Sequence, residues 1–440
     1  MDPSLLSALM FPALFALIFL GIPVAFSLIS VAFVFGFVAF GDTIGQVLYG
    51  RTMGVAGSSV LAAIPLFIFM GSMLERTSIA RRLFEAMQLW TGRMPGGLAI
   101  ATISMCGVFA AATGIIGAVE TVIGMMAIPP MLKHGYDKGL ISGTICAGGS
   151  LGTIIPPSVT VIIYASIAEL SIGDLFVGII IPGLLMILFF VGYIFILGIL
   201  RPDHAPKLPR ELVSVPLGQK LRTTATGLLP ATILITAVLG SIIFGVASPT
   251  EAAAVGAGGA LLLSLAYREF SWRVLYEVVR KSVSISAMVM LIVVGGGMFS
   301  GVFLVNGGRD LVAGAVETLN LPPAGLVAVF LFIVFLFGFV LDWITIVLIA
   351  LPIFLAPLKA AGVDQVWFAV LMVVVIQTSY MTPPMAPAIF YLRSIAPKEI
   401  TYGNMYRGVM PFVVAELLVL AVVALFPATA TYLPTVLLGF

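Results

Sequence analysis

Charge is what this chain has least of. Asp, Glu, Lys and Arg make up 9% of its 440 residues against 61% hydrophobic, and the mean hydropathy is +1.21. So little polar side chain cannot cover a soluble core of that size, which excludes a soluble globular protein and leaves an integral membrane protein. Cysteine and histidine are almost missing too. Cys106 and Cys146 lie in apolar stretches, and His134 and His204 stand singly beside loop lysines or prolines, so neither a metal-ligand spacing nor a redox pair exists. There is no G-x-x-x-x-G-K-[ST] phosphate loop, so any ATP would have to be hydrolysed by another chain. No acid, base and nucleophile converge in the sequence, which sets enzymatic function aside. The net charge of +2 is spread over short loops and offers nothing to nucleic acid. Hydrophilic runs are short as well: only 201–222, with Arg201, Asp203 and Lys220 among several prolines, is substantial, enough to link two halves and not to form a soluble domain. The N-terminal stretch lacks a basic flank and an A-x-A site, and reads as a first span.

What is present is a series of charge-free runs, among them 3–41, 52–74, 94–119, 139–168, 175–200, 223–250, 282–308, 318–341, 365–392 and 417–440. Most reach the roughly 20 residues a bilayer requires, and they are apolar on every face, which predicts helices and not the alternation of a barrel. Two of them carry a proline pair, in Ile154-Ile155-Pro156-Pro157-Ser158 and Met381-Thr382-Pro383-Pro384-Met385, 227 residues apart. The same ungapped offset matches Arg82 to Arg309, Pro95 to Pro322, Pro130 to Pro357, Gly135 to Gly362, Asp137 to Asp364 and Tyr164 to Tyr391. This register marks an internal repeat. Because proline removes a helix donor and clashes with the preceding turn, spans broken at matching points of two halves point to a binding site there.

Lys and Arg collect on the cytoplasmic side. If 94–132 and 318–358 are re-entrant hairpins and the other long runs cross, 18 of the 21 basic residues face the cytoplasm and only Arg51, Arg309 and Lys359 face outward. Five crossings then separate the hairpins, and the odd number inverts the second half relative to the first. Taking 139–168 and 365–392 as the hairpins scores 17 of 21, so charge leaves both topologies open. Chemistry favours the first, because Pro-Pro suits a broken crossing helix and Ala110-Ala111-Ala112-Thr113-Gly114 suits a tight tip. Either way the four breaks meet near the midplane.

A broken span exposes carbonyls at one half-helix end, which suit a sodium ion, and amides at the next, which suit a carboxylate. The first break, Gly148 to Ser158, adds the hydroxyls of Ser150, Thr153 and Ser158; the second, Gln377 to Pro384, adds those of Thr378, Ser379 and Thr382. The competing reading of each is a packed proline kink with Ser and Thr bonded to the preceding turn. Thr113-Gly114 and Gly338 to Asp342 form the weaker second pair of breaks. A carboxylate in the bilayer costs about 2.5 to 3.5 kcal/mol, so Asp342 needs a partner or a purpose: either a second cation, or a hydrogen bond closed between helices. Glu120 has the same standing without the offset, and Glu416 is expected near an interface. Glycine-rich 256–259 and 295–297 read as close helix contacts.

In its ordered motifs the chain resembles the large membrane subunit of tripartite ATP-independent periplasmic (TRAP) transporters. They are Ala112-Thr113-Gly114, Pro130 through Gly135-Tyr136-Asp137, Gly148 to Gly152 leading to Ile155-Pro156-Pro157-Ser158, Ile172-Gly173, Leu175-Phe176, Pro182-Gly183, Asp342 and Thr382-Pro383-Pro384. The resemblance covers essentially the whole chain. It implies an all-α polytopic membrane protein of two inverted repeats, each with a re-entrant hairpin and a broken transmembrane helix. It further implies a sodium-coupled elevator-type secondary transporter in the bacterial inner membrane, fed a small organic acid such as a C4-dicarboxylate by a periplasmic substrate-binding protein and braced by a separate small four-helix membrane subunit. Carried over, one sodium site would join Thr113 and Gly114 to Ile155, Pro156 and Ser158, and the other would join Gly338 and Asp342 to Met381, Thr382 and Pro383. Substrate would meet Thr113, Ser150, Gly152, Ser158, Thr378, Ser379 and Thr382. A serine-rich turn is usual at the first tip, where Ala111-Ala112-Thr113-Gly114-Ile115-Ile116 stands instead. The expected organisation is scaffold helices over 1–93 and 223–317, a first transport half over 94–200, a cytoplasmic link over 201–222 and a second transport half over 318–440. A stand-alone sodium- or proton-coupled anion carrier of similar architecture, or a channel-like subunit, is the alternative.

Overall fold

The computed structural model describes all residues except 1–2, 115–116, 210, 212–213, 384–385 and 440, so Ile115, Ile116, Arg210, Pro384 and Met385 lie outside the described residues. Everything regular in the described part is helical. Seven helices are long and apolar enough to cross a membrane, or eight if the bent pair Ala63–Glu75 and Ile79–Thr91, which meet at 65°, counts as one span.

The breaks fall where the sequence withdraws helix donors or adds glycine. The hairpin arms Gly97–Thr113 and Ala118–Lys133 flank Gly114, and Pro323–Phe337 and Trp343–Ala360 flank 338–342. Trp343–Ala360 alone is long enough to span. Lys138–Ser150 and Val159–Ala168 have 13 and 10 residues, about 20 and 15 Å at 1.5 Å per residue, so neither alone crosses a core of about 30 Å. The second such pair is Gln365–Met381 and Pro387–Ile395.

The offset of 227 carries into structure. Shifted by it, Lys138–Ser150 becomes 365–377 and Val159–Ala168 becomes 386–395, falling on Gln365–Met381 and Pro387–Ile395. Asp137 accepts from the Leu140 amide at 2.9 Å and Asp364 from the Trp367 amide at 2.7 Å, the same N-cap at the same place in each half. Shifted likewise, Val24–Phe40 falls on Pro249–Ala266, and Ala63–Glu75 falls within Trp272–Phe303. These four pack crosswise, Val24–Phe40 along Trp272–Phe303 and Pro249–Ala266 along Ala63–Glu75. A two-fold relation requires that exchange. Ser150 and Gln377, 227 residues apart, touch each other through Gln377 Nε2 to Ser150 Oγ at 2.9 Å, a contact between matching positions that fits this exchange.

Three expectations need correction. The stretch 3–41 is two helices, Pro3–Phe19 and Val24–Phe40, because Gly21 and Pro23 break it. The link 201–222 ends in helix, since Leu217–Ile243 starts inside it; its segment 204–208 is fastened under the first hairpin, with Gly96 N donating to Ala205 O, Asp137 N to His204 O and Leu208 N to Gly92 O, each at 3.0 Å. The run 282–308 belongs to Trp272–Phe303, which starts ten residues earlier and carries Arg273, Glu277, Arg280 and Lys281 along its first turns. Gly295, Gly296 and Gly256 are close helix contacts, against Leu28, Leu348 and Met70.

Candidate functional site

A cavity of about 530 Å³ opens where the breaks converge. Gly117 and Thr121 reach it from the first hairpin, Val159 from the first broken span, Gly338, Leu341 and Asp342 from the second hairpin, and Ser379 and Tyr380 from the second broken span. Its opposite wall is Ile68 and Glu75 of Ala63–Glu75 and Lys281 to Ile292 of Trp272–Phe303. Lys281 Nζ meets Glu75 Oε2 at 2.6 Å.

At the first pair of breaks, Gly114 is left-handed at φ +60°, and its carbonyl lies 3.5 Å from the Val159 amide. A β-carbon on Gly114 would stand 2.6 Å from the Pro157 carbonyl oxygen. Thr113, Gly114, Pro156 and Ser158 are buried together here, with Ile155 half-buried. At the second pair, a β-carbon on Gly338 would meet Ser379 Cβ and Oγ, so the second hairpin presses on the second broken span as the first does on its own. Met381 is buried, and Thr382 and Pro383 are half-buried just beyond it.

The hydroxyl hydrogens are committed to nearby carbonyls. Thr113 donates to Phe109 O at 3.1 Å, Ser158 to Thr153 O at 2.6 Å, Thr378 to Val374 O at 2.9 Å, Ser379 to Ile376 O at 2.8 Å and Thr382 to Thr378 O at 2.7 Å. A hydroxyl that has spent its hydrogen keeps two lone pairs, which serve a cation and repel a carboxylate. In this conformation these groups fit sodium ligation better than anion binding. Anion donors lie elsewhere: Ala118–Lys133, Val159–Ala168 and Pro387–Ile395 begin without a side-chain cap, leaving first-turn amides unclaimed by side chains. Asp342 caps the fourth such helix, accepting from Ile344 N at 3.1 Å, from Thr345 N at 3.4 Å and from the Thr345 hydroxyl. Its carboxylate therefore has a local purpose as the cap of its own helix.

Of the residues singled out in the sequence, Gly338, Asp342 and Ser379 line the cavity; Ser150 sits elsewhere, bonded to Gln377. Gly152 is buried in the 3₁₀ turn Leu151–Thr153. Glu416, expected near an interface, is fully buried beside Ser150, because Tyr402–Leu425 packs lengthwise on Lys138–Ser150. Glu120 is equally buried and accepts from the Tyr380 hydroxyl at 3.1 Å. Sequence reading placed Lys281 in a cytoplasmic loop and missed it as cavity wall; helical continuation of the run 282–308 toward Trp272 was the available signal.

Comparison with known proteins fits this geometry. Residues 11–429 match the family model described as tripartite ATP-independent periplasmic transporter, DctM component. A C4-dicarboxylate TRAP transporter large permease of Pseudomonas aeruginosa is 31% identical, over 85% of this chain and 86% of its own. An ectoine/5-hydroxyectoine TRAP transporter large permease of Ruegeria pomeroyi is also 31% identical, over 97% and 98%. An isethionate TRAP transporter permease of Oleidesulfovibrio alaskensis, named DctMQ, is 30% identical over 84% of this chain and 57% of its own. In fold, the chain is similar to the YdaH transporter of Alcanivorax borkumensis, with a TM-score of 0.64 at 13% identity over 98% of this chain and all of the other. The chain is thus a multi-pass bacterial inner-membrane protein, not an enzyme, and belongs to the TRAP transporter family as its large permease, the DctM component.

Proposed function

We propose that the chain imports a small organic acid anion by sodium-coupled alternating access, receiving it from a periplasmic substrate-binding protein and working beside a small membrane subunit. The observation that carries this reading is the convergence of all four breaks on one cavity, with hydroxyls at the breaks that have spent their hydrogens, Ser379 in the cavity wall and Thr113 and Ser158 at the first tip, while three helix starts have no side-chain cap. Sodium at Thr113, Gly114, Ile155, Pro156 and Ser158, and at Gly338, Asp342, Met381, Thr382 and Pro383, would hold each hairpin tip against its broken span. The substrate carboxylate would then meet amides at the same level. Relatives named for C4-dicarboxylate, ectoine and isethionate support a small organic solute as the cargo class, and the DctMQ relative, of which this chain covers 57%, supports a companion subunit.

The cavity lies between the helices Ala63–Glu75 and Trp272–Phe303 on one side and the broken elements on the other, which is where an elevator slides. By the distribution of Lys and Arg, the Glu75–Lys281 end faces the cytoplasm, which supports reading this arrangement as an inward-facing stage. Two sodium ions entering at about 100 mV would contribute about 4.6 kcal/mol from voltage, at about 2.3 kcal/mol per charge. The test is uptake of a labelled organic-acid panel into proteoliposomes holding this chain, its small subunit and a cognate binding protein, with and without inward sodium. Uptake requiring both sodium and binding protein is expected; uptake indifferent to the binding protein would replace this reading with a stand-alone carrier.

A further inference from the structure

Behind the cavity, where Lys138–Ser150 meets Gln365–Met381 and Tyr402–Leu425, Glu416 is shut away from water. It forms no ion pair among the described residues. Its Oε1 lies 3.2 Å from Ser150 Oγ, and its Oε2 has no hydrogen-bond partner among the described residues. Ser150 Oγ is also 2.8 Å from the Ala147 carbonyl and 2.9 Å from Gln377 Nε2. A hydroxyl has one hydrogen and two lone pairs. Both the Ala147 carbonyl and an ionised Glu416 could only accept, and the nearer Ala147 oxygen, at 2.8 against 3.2 Å, takes the hydrogen, while the Gln377 amide donates into one lone pair. What faces Glu416 Oε1 is the second lone pair, which an ionised carboxylate repels and a carboxylic acid satisfies. Turning the Gln377 amide over leaves three acceptors competing for one hydrogen, so the count holds in either orientation.

Among the described residues the surroundings supply no counter-charge. Lys138 pairs with Glu399 at 3.5 Å, and Arg393 of Pro387–Ile395 donates to the Ile400 carbonyl at 2.9 Å. Tyr406 and Arg407 lie more than two turns, at about 3.6 residues each, toward the start of Glu416's own helix. Tyr193 of Ile180–Leu200 meets Phe412 edge to face, Tyr432 of Ala428–Leu438 is exposed, Cys146 is a buried thiol, and Tyr380 is bonded to Glu120. Ser150 is also the last residue of its helix, where the backbone dipole disfavours an anion.

We propose that Glu416 is a proton-binding site, its acid hydrogen donated to Ser150 Oγ, and that this proton travels as a second coupling ion, carried with the broken spans that hold Ser150 and Gln377. The coupling rests on the transport reading above; the bound proton does not. Infrared difference spectra of the chain in lipid, in water and in heavy water, test the proton: Glu416→Gln should remove one deuterium-sensitive carboxylic-acid carbonyl band that Glu120→Gln keeps. A band unchanged by Glu416→Gln overturns the proposal. Glutamine donates to Ser150 Oγ as the acid does, so the variant should unfold at the wild-type temperature in the same preparation. Proteoliposomes with an internal pH-sensitive dye and succinate as probe test the coupling. Wild type should acidify the interior as succinate enters, and Glu416→Gln should take up succinate without acidification. Acidification that persists in the variant overturns the coupling and leaves a structural acid. Wild type that moves no succinate counts against the transport reading, while the infrared result still decides the proton.

Discussion

Gly114 and Gly149 each stand where a methyl group has no room, for different reasons. At Gly114 the left-handed backbone disfavours any side chain by about 1–2 kcal/mol, and a β-carbon would run into the backbone of Pro157. Gly114→Ala should lift the hairpin tip off the first broken span, abolishing sodium-dependent uptake while the protein still inserts, as a transport assay beside membrane yield will show. At Gly149 the obstacle is a side chain: a β-carbon would stand 1.9 Å from Glu120 Cγ. Gly149→Ala should cost about 1–3 kcal/mol by overpacking. Adding Glu120→Ala should return part of that, a coupling readable in thermal unfolding of the double variant. Asp342 separates capping from charge. Asp342→Asn keeps an acceptor for the first turn and should stay stable, whereas Asp342→Ala should lose about 0.5–2 kcal/mol. If the charge also holds sodium, both variants weaken sodium dependence equally, which a sodium titration of uptake measures. Thr113, Ser158 and Ser379 are legible in the sequence because glycine and proline flag the breaks around them. Glu416 is not, because its burial beside Ser150 is decided by a helix 266 residues away in the chain.

At the scale of helices, the breaks are the most legible feature, since proline and glycine act on their own turn and need no tertiary help. Helix starts are less so. Trp272–Phe303 begins through three basic residues and an acid, and Leu217–Ile243 begins inside a hydrophilic link, because a charged first turn at the membrane edge costs little and continues the helix beyond the apolar run. The caps Asp137 and Asp364 are read directly from their matching positions. Asp137→Ala and Asp364→Ala should each cost about 0.5–2 kcal/mol, and by similar amounts, since each removes one bond to the third residue of an equivalent helix. Denaturation of the two variants side by side checks the equality. A cost confined to one would mean that the two halves no longer share their mechanics.

For the molecule as a whole, the repeat is visible in sequence from residue 82 to 391 because capping aspartates, break prolines and turn glycines are fixed by backbone geometry. The helices Val24–Phe40 and Ala63–Glu75 repeat at the same offset with few matching residues, since any apolar side chain of suitable size serves there. Movement between the scaffold and the broken elements is testable at Gly296, where a β-carbon would approach Leu348 Cβ to 2.6 Å. In a background with Cys106 and Cys146 replaced, Gly296→Cys with Leu348→Cys should oxidise to a disulfide after a shift of about 1 Å toward the usual Cβ separation of about 3.8 Å. Uptake should stop on oxidation and return on reduction; full activity of the oxidised protein would mean that the two parts do not slide. The crosswise packing of Val24–Phe40 on Trp272–Phe303 bears on biosynthesis as well. At about 5–20 residues per second, the ribosome completes the partner helix about 13 to 53 seconds after completing the first. During that interval an apolar, small-residue face waits in the lipid, so the newborn first half is the stage at which a chaperone, an insertase or the companion subunit has most to gain by covering it.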